Sequence, residues 1–279
     1  MQCRYINLAD AVERRLAIEA SFDKVARPGW DMARFEAVDT QFVDRHAVGG
    51  VRSREEKACF LSHKAVIEAH AGRSTPLLVL EDDVEFGIAT CEIVDGLLQQ
   101  NPEADWDLLF LDVCATGIDD MVKLYFHRKD LMRTGSVIPL DLAKIPFFGA
   151  NAYIVNPRSI PRIVAILDAG VPVDVEYDVY LAAQIREGRL KAAVLFPFVT
   201  TLSHHSTSSQ IQPDKVEQLN HARSTFRRLV WLERRPEQVA ADMAQIEAVI
   251  ADPEHRAFSA ILTSMLMNFR ELKDGASPA

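Results

Sequence analysis

Short apolar runs alternate with stretches whose apolar positions recur every three or four residues through about the first 200 residues of the chain. This layout predicts an α/β domain built on a largely parallel sheet. Strands are expected over residues 3–8, 34–39, 77–84, 107–112, 152–155 and 192–199, and helices over 12–23 and 55–70. In the second helix Lys57, Lys64 and Glu68 make a polar side, with Leu61 and Ala65 turned inward. A crossover helix is expected over 91–99. Asn156-Pro157 reads as a helix start, a cap residue followed by proline, leading into Ile160, Ile163, Val164 and Leu167. Residues 117–145 have weak periodicity and mixed charge, and read as a long loop or lid. After His204-His205-Ser206-Thr207-Ser208-Ser209, a polar loop, the pattern is helical and ends with Phe258, Ile261, Leu262, Met265, Leu266, Phe269 and Leu272 at helical spacing. The chain thus divides at 205/206 into an α/β region, 1–205, and a helical region, 206–279.

Composition narrows the functional classes. With 279 residues the chain can bury a sizeable core, and its formal net charge of -9 argues against a nucleic-acid partner. Cys3, Cys59, Cys91 and Cys114 are widely spaced, without the pairing of a zinc site or disulfide framework, and read as reduced thiols. The N-terminus lacks a signal-peptide layout and no stretch has the length of a membrane span, so a cytoplasmic protein is expected.

Candidate chemistry concentrates at Glu81-Asp82-Asp83, directly after the apolar run Leu77-Leu78-Val79-Leu80. Acidic triplets are common; one placed where a buried strand emerges is not. In open parallel sheets ligands bind beyond the carboxyl ends of the strands, so this triplet and Asp112 point toward one crevice. Hard oxygen ligands suit Mg²⁺ or Mn²⁺, whose shells are completed by water and substrate phosphates, and a diphosphate is the natural third party. The plainer alternative is a helix cap or a solvated turn.

A resemblance rests on an ordered set of motifs. Ile6-Asn7-Leu8 is followed by Arg14-Arg15, then Arg34-Phe35-Glu36-Ala37-Val38-Asp39, Glu56 with Ala58-Cys59-Phe60-Leu61-Ser62-His63, and Leu78-Val79-Leu80-Glu81-Asp82-Asp83-Val84. Farther on stand Gly149-Ala150-Asn151-Ala152-Tyr153-Ile154-Val155, Pro172-Val173-Asp174 and Asp178-Val179-Tyr180-Leu181. Over residues 3–200 this set resembles glycosyltransferase family 25, the bacterial lipooligosaccharide glycosyltransferases. The resemblance implies a GT-A-like, Rossmann-type, mostly parallel sheet flanked by helices, with a C-terminal helical extension. It implies an inverting transfer of galactose or glucose from a UDP-sugar donor to an oligosaccharide or glycolipid acceptor, as in lipopolysaccharide assembly. It also implies that Glu81 and Asp83 flank a divalent ion, Mn²⁺ or Mg²⁺, on the donor's diphosphate, with Asp82 near the ribose or sugar and His204 or His205, preferably His204, completing the metal shell.

Inversion by direct displacement needs a base, and Asp178, with Asp174 and Glu176 as substitutes, supplies the available carboxylates. Asp178 also reads as a cap of the helix that follows it. Asn7 stands at the tip of the first strand, Arg14 and Arg15 are placed to pair with phosphate, and Asp39 to accept hydrogen bonds from ribose or uracil. Ser62 and His63 read as packing or donor contacts. The chain departs from its relatives at Glu55-Glu56-Lys57, where a glycine-rich approach is usual, and at Asn151, where a small hydroxyl or histidine is usual. Both positions bear on donor or acceptor preference.

Three further readings stay open. The runs ending at Asp83 and Asp112 also resemble a phosphorylation receiver domain, although the interval between them is too short for a receiver's intervening elements. The same acids would serve a metal-dependent hydrolase of nucleotide diphosphate compounds. Residues 221–235 carry Arg223, Arg227, Arg228, Arg234 and Arg235 beside Phe226, Leu229, Val230 and Trp231, a basic amphipathic pattern suited to peripheral contact with an anionic inner membrane or to packing on the domain.

Overall fold

The computed structural model describes residues 1–100, 105–203 and 217–249, with 253, 254, 257 and 261 as further single positions. The expected alternation of strands and helices is present as β1 (Gln2–Asn7), α1 (Val12–Asp23), β2 (Asp31–Glu36), α2 (Thr40–Arg45), α3 (Arg54–Glu68), β3 (Leu77–Glu81), β4 (Val84–Phe86), α4 (Thr90–Gln100) and β5 (Leu108–Phe110). There follow β6 (Cys114–Ala115), α5 (Ile118–Thr134), β7 (Ile138–Asp141), β8 (Phe147–Phe148), β9 (Ala152–Val155), α6 (Ile160–Ala169), α7 (Tyr177–Arg186), β10 (Ala192–Phe196), β11 (Thr200–Leu202), α8 (Glu217–Val230) and α9 (Pro236–Val249).

Seven strands form the central sheet in the order β2-β1-β3-β9-β5-β10-β7. Strands β1, β2, β3, β5 and β10 run one way; β9, between β3 and β5, and β7, at the edge, run the other. The sheet is therefore mixed, mostly one-directional and flanked by helices. Side-chain alternation builds two cores. Leu77, Val79, Leu108, Phe110, Tyr153 and Val155 join one cluster; Leu78, Leu80, Leu109, Leu111, Ala152 and Ile154 join the other. Strands buried on both faces read as unbroken apolar runs, which is why β3 and β5 are conspicuous in the sequence. Each such side chain contributes about 1.5–3 kcal/mol by leaving water.

The antiparallel insertion of β9 decides what lies at the site. Glu81 pairs in register with Ile6, and Leu80 with Ala152, so the carboxyl ends of β1 and β3 lie level with the amino end of β9. A parallel β9 would carry Asn151 to the opposite edge of the sheet. As built, the Glu81 amide donates to the Asn151 carbonyl at 2.7 Å.

Local sequence explains the helix that packs behind the triplet. Ser53 Oγ accepts from the Glu56 amide at 3.2 Å while Glu56 Oε2 accepts from the Ser53 amide at 2.9 Å, a reciprocal cap that starts α3. The face of α3 turned inward differs from the expected one: Ala58, Ser62, His63, Val66 and Ile67 are buried, whereas Leu61 and Ala65 are half-buried. The stretch 117–145 is also not a lid. It holds α5 and the edge strand β7, and α5 stops at Gly135, whose φ of 63° suits glycine. Only Leu124 and Arg128 of α5 are buried, so its apolar periodicity is faint.

Among the described residues no helix is long and apolar enough to cross a membrane. After residue 205, α8 packs against β6, β11 and α5. Arg227 and Arg228, part of the basic pattern read above as suited to membrane contact or to packing on the domain, are buried; each is ion-paired, to Asp112 and Asp242 respectively. The basic stripe of this helix therefore faces protein at those two positions. The expected final helix from Phe258 onward lies outside the described residues apart from Ile261.

Candidate active site

The three acids at the end of β3 have different partners because successive residues leave the strand in different directions. Asp82 turns toward β1 and α1: Oδ2 accepts from Asn7 Nδ2 at 2.7 Å and Oδ1 from Arg14 Nε at 2.6 Å. Arg14 continues to Asp83, with its NH2 group 3.1 Å from Asp83 Oδ2. Asn7 is itself fixed, donating also to the Ala11 carbonyl and accepting from Arg34 Nε at 3.1 Å. Burial raises the Asp82 pKa while Arg14 opposes the shift. Burial alone would weaken the charge on Arg14, but Asp83 and Asp82 outweigh it and hold the guanidinium pKa above its ordinary value.

Glu81 turns the other way, into a buried polar relay that the sequence reading passed over. His63 Nε2 faces Glu81 Oε1 at 3.3 Å, His63 Nδ1 contacts the Tyr153 hydroxyl at 2.9 Å, and that hydroxyl meets the Tyr177 hydroxyl at 2.8 Å. The Tyr177 ring stacks on His63 with centroids 4.1 Å apart. Asn151 Nδ2 closes the group, donating to Glu81 Oε2 at 2.9 Å and to Asp83 Oδ1 at 3.3 Å. The available signal for His63 was helical: Glu56, Cys59 and His63 lie on one face of α3, and polar residues on a buried face need a purpose.

Glu81 lies deep in the protein although 27 % of its side chain is open to the cavities, and burial raises its pKa against the stabilising contact from His63. A carboxylate whose folded pKa lies above its unfolded value costs stability once pH exceeds the unfolded value, with the full cost above the folded one. Glu81→Gln is therefore expected to raise Tm by about 3 °C at pH 8 in EDTA. The gain shrinks as pH falls through the raised folded pKa and vanishes below about 4.5, the ordinary value. A lower Tm at pH 8 would show that the charged form is already fully compensated.

Two cavities meet at Glu81 and Cys59. The first, about 470 Å³, runs between the ends of β1 and β2 and is lined by Asn7, Arg14, Asp39, Ser62, Asp82 and Asp83 among others. The second, about 370 Å³, lies between α7, α8 and the turn before β9; Glu176, Asp178, Asn151, Arg223 and Arg227 line it. Asp178 is held by backbone: Oδ2 accepts from the Gly149 amide at 2.7 Å and Oδ1 from the Val179 amide at 2.8 Å. Gly149 has φ of 83°, and a Cβ there would lie 3.1 Å from Asn151 Oδ1, so glycine allows both the turn and the approach.

The expected site residues divide accordingly. Glu81, Asp82, Asp83, Asn7, Arg14 and Asp39 gather on the first cavity, with Asp39 also capping α2 through the Phe42 amide at 2.6 Å. Asp178 and Glu176 face the second, Glu176 in an ion pair with Arg52. Asp174 is exposed, accepts from the Val51 amide at 3.0 Å and lines neither cavity, nor does Arg15. His204 and His205 lie outside the described residues. Asp112 is wholly buried, accepting from Thr200 Oγ1 at 2.9 Å and from Arg227. That burial removes it as the phosphate-accepting aspartate of a receiver.

Glu81 and Asp83 offer hard carboxylate oxygens at a cavity wall where negative charge exceeds positive, which fits Mg²⁺ or Mn²⁺. All three acids are engaged: Asp82 by Asn7 and Arg14, Asp83 by Arg14 and Asn151, and Glu81 by His63 and Asn151. Cys59, His63 and Glu81 also bring ligand atoms within 4.8 Å of one another. Burial, with Glu81 adding to it, pushes the Cys59 thiol pKa well up and keeps it protonated, a poor ligand for a hard ion.

A sequence model described as glycosyltransferase family 25 (LPS biosynthesis protein) matches residues 1–175. Two solved structures are similar over most of their length. The galactosyltransferase LgtC, in complex with donor and acceptor sugar analogues, shows 11% identity over 70% of this chain and 73% of that one, with a TM-score of 0.37. Mouse xyloside xylosyltransferase 1 in its apo form shows 8% identity over 68% and 70%, also at 0.37. No curated protein matches the chain.

Proposed function

The chain belongs to glycosyltransferase family 25, and on that premise we propose that it transfers galactose or glucose, with inversion, from a UDP-sugar to a saccharide acceptor of the lipopolysaccharide or lipooligosaccharide type. The observation that carries this reading is the meeting of two cavities at Glu81, one walled by acids with Arg14 and Asn7, the other by Asp178. A transferase must hold two substrates with their reacting atoms adjacent, and that meeting point is where a sugar carbon would face an acceptor oxygen.

In this reading the nucleotide lies along the ends of β1 and β2, with Asp39 toward the ribose or base and Asn7 and Arg14 fixing the loop beneath it. Glu81 and Asp83 are the residues that would hold a divalent cation, Mn²⁺ or Mg²⁺, which when bound offsets charge on the departing diphosphate. Asp178 takes the proton of the acceptor hydroxyl as its oxygen bonds to the anomeric carbon, and the bond from that carbon to the diphosphate oxygen breaks. The two amides on Asp178 hold the carboxylate in one orientation. Glu176 is the neighbouring substitute.

The test is UDP release from UDP-galactose and UDP-glucose with Mn²⁺, with and without oligosaccharide acceptors. Acceptor stimulation of at least about 10-fold is expected, since attack by a positioned hydroxyl replaces slow attack by water. Release that never responds to an acceptor would favour the hydrolase instead.

A further inference from the structure

Helix α8 lies beyond the residues matched by the family, yet it builds one wall of the second cavity. The same cavity is lined by Glu56, Glu81, Glu176 and Asp178, so it holds acidic groups beside a basic side supplied by α8. The basic side is made by two arginines one helical turn apart. Arg227 is buried; its NH2 group donates to Asp112 and to Asn151 Oδ1, the latter at 3.1 Å, while its Nε has no hydrogen-bond partner among the described residues. Arg223 is half-buried and lies over the Phe148 ring, 4.8 Å from the centroid. It has no carboxylate partner among the described residues. A guanidinium held on an aromatic face keeps its outer N–H groups for a ligand. Ser224 stands beside it on the same cavity wall.

We propose that Arg223, with Ser224 and the buried Arg227 behind it, forms an anion subsite in the second cavity, and that the acceptor sugar carries a phosphate-type group which this subsite reads. The inference rests on the two-substrate reading above and deepens it. Arg227, its charge offset by Asp112, fixes α8 against the cavity; Arg223 supplies donors that a tetrahedral oxyanion can take in pairs. Glu176 and Asp178 repel the same anion, which leaves Arg223 as its partner in this cavity. The acceptor is thereby oriented with its anionic end toward α8 and a hydroxyl toward Asp178.

The experiment is calorimetric titration of the full chain with three probes: glucose 6-phosphate, glucose, and UDP with Mn²⁺. Wild type is compared with Arg223→Gln. Glucose 6-phosphate is expected to bind at least about 10-fold more tightly than glucose, and Arg223→Gln to remove that preference, a charge-assisted contact being worth about that factor. Equal affinity for the two sugars in wild type, or a preference that survives Arg223→Gln, overturns the proposal. If Arg223→Gln instead weakens UDP about 10-fold and leaves the sugars unaffected, the subsite belongs to the donor's diphosphate and the acceptor assignment falls. UDP that fails to bind wild type, while glucose 6-phosphate binds as expected, would overturn the donor reading and leave the anion subsite standing.

Discussion

Asp83→Ala is expected to lower sugar transfer by at least about 10³-fold, equivalent to the loss of several kcal/mol of charge stabilisation at the leaving diphosphate. The variant should fold. The Arg14 contact to Asp83 is lost, but Asp82 keeps its bonds from Asn7 at 2.7 Å and from Arg14 at 2.6 Å, so β1 and α1 stay tied to the end of β3. What disappears is one of two carboxylates offering oxygen to the cavity while accepting from the Asn151 amide. Transfer assays, Mn²⁺-dependent UDP binding by calorimetry and a thermal melt form the set of measurements. Activity within about 10-fold of wild type would move the cation away from Asp83, leaving Cys59, His63 and Glu81 as the group to examine.

The largest effect on stability is expected at Arg227. Methionine there preserves much of the side-chain volume but leaves Asp112, with no exposed surface, facing only the Thr200 hydroxyl. Removing one partner of a buried pair costs about 3–5 kcal/mol, because the remaining charge stays desolvated. Tm should fall by about 10 °C in a chain of this size. The double variant Arg227→Met with Asp112→Asn should recover at least half of the loss, since the amide can still accept from Thr200 and carries no charge. An unchanged Tm for the single variant would mean that α8 is not docked on the sheet in solution. The arginine also donates to Asn151, which touches Glu81 and Asp83, so activity should fall more than stability alone dictates.

Most of the scaffold was legible because its signals are local. Four apolar residues followed by three acids announced β3 and its end, and the spacing of polar and apolar positions over 55–70 announced α3. The α5 segment misled because only two of its residues are buried; its stop at Gly135 was the better signal, since glycine after the last turn depends on backbone geometry and not on packing. His63 was read with Ser62 as a packing or donor contact, and its link to Glu81 did not show because Leu61 and Ala65 appeared to define the inner face of α3, whereas the helix turns Ser62 and His63 inward. Arg227 and Arg228 read as a solvated stripe for a similar reason. An arginine on an amphipathic helix looks the same in sequence whether water or a distant aspartate receives it.

By itself, the sequence determined where β1, β3, β5, β9 and β10 and the helices α1, α3 and α4 lie, and that a triplet of carboxylates stands where β3 leaves the core. Those outcomes follow from apolar periodicity, caps and turns, which act over a few residues. Only the tertiary structure decided how the triplet is divided: Asp82 to Asn7 and Arg14, Asp83 between Arg14 and Asn151, Glu81 to His63 and Asn151. These partners come from up to 75 residues away in the chain. They meet because β9 enters the sheet reversed and brings its amino end beside the carboxyl ends of β1 and β3. Charge and hydrogen bonding in a buried site depend on neighbours within a few ångströms, and the order and direction of strands set those neighbours.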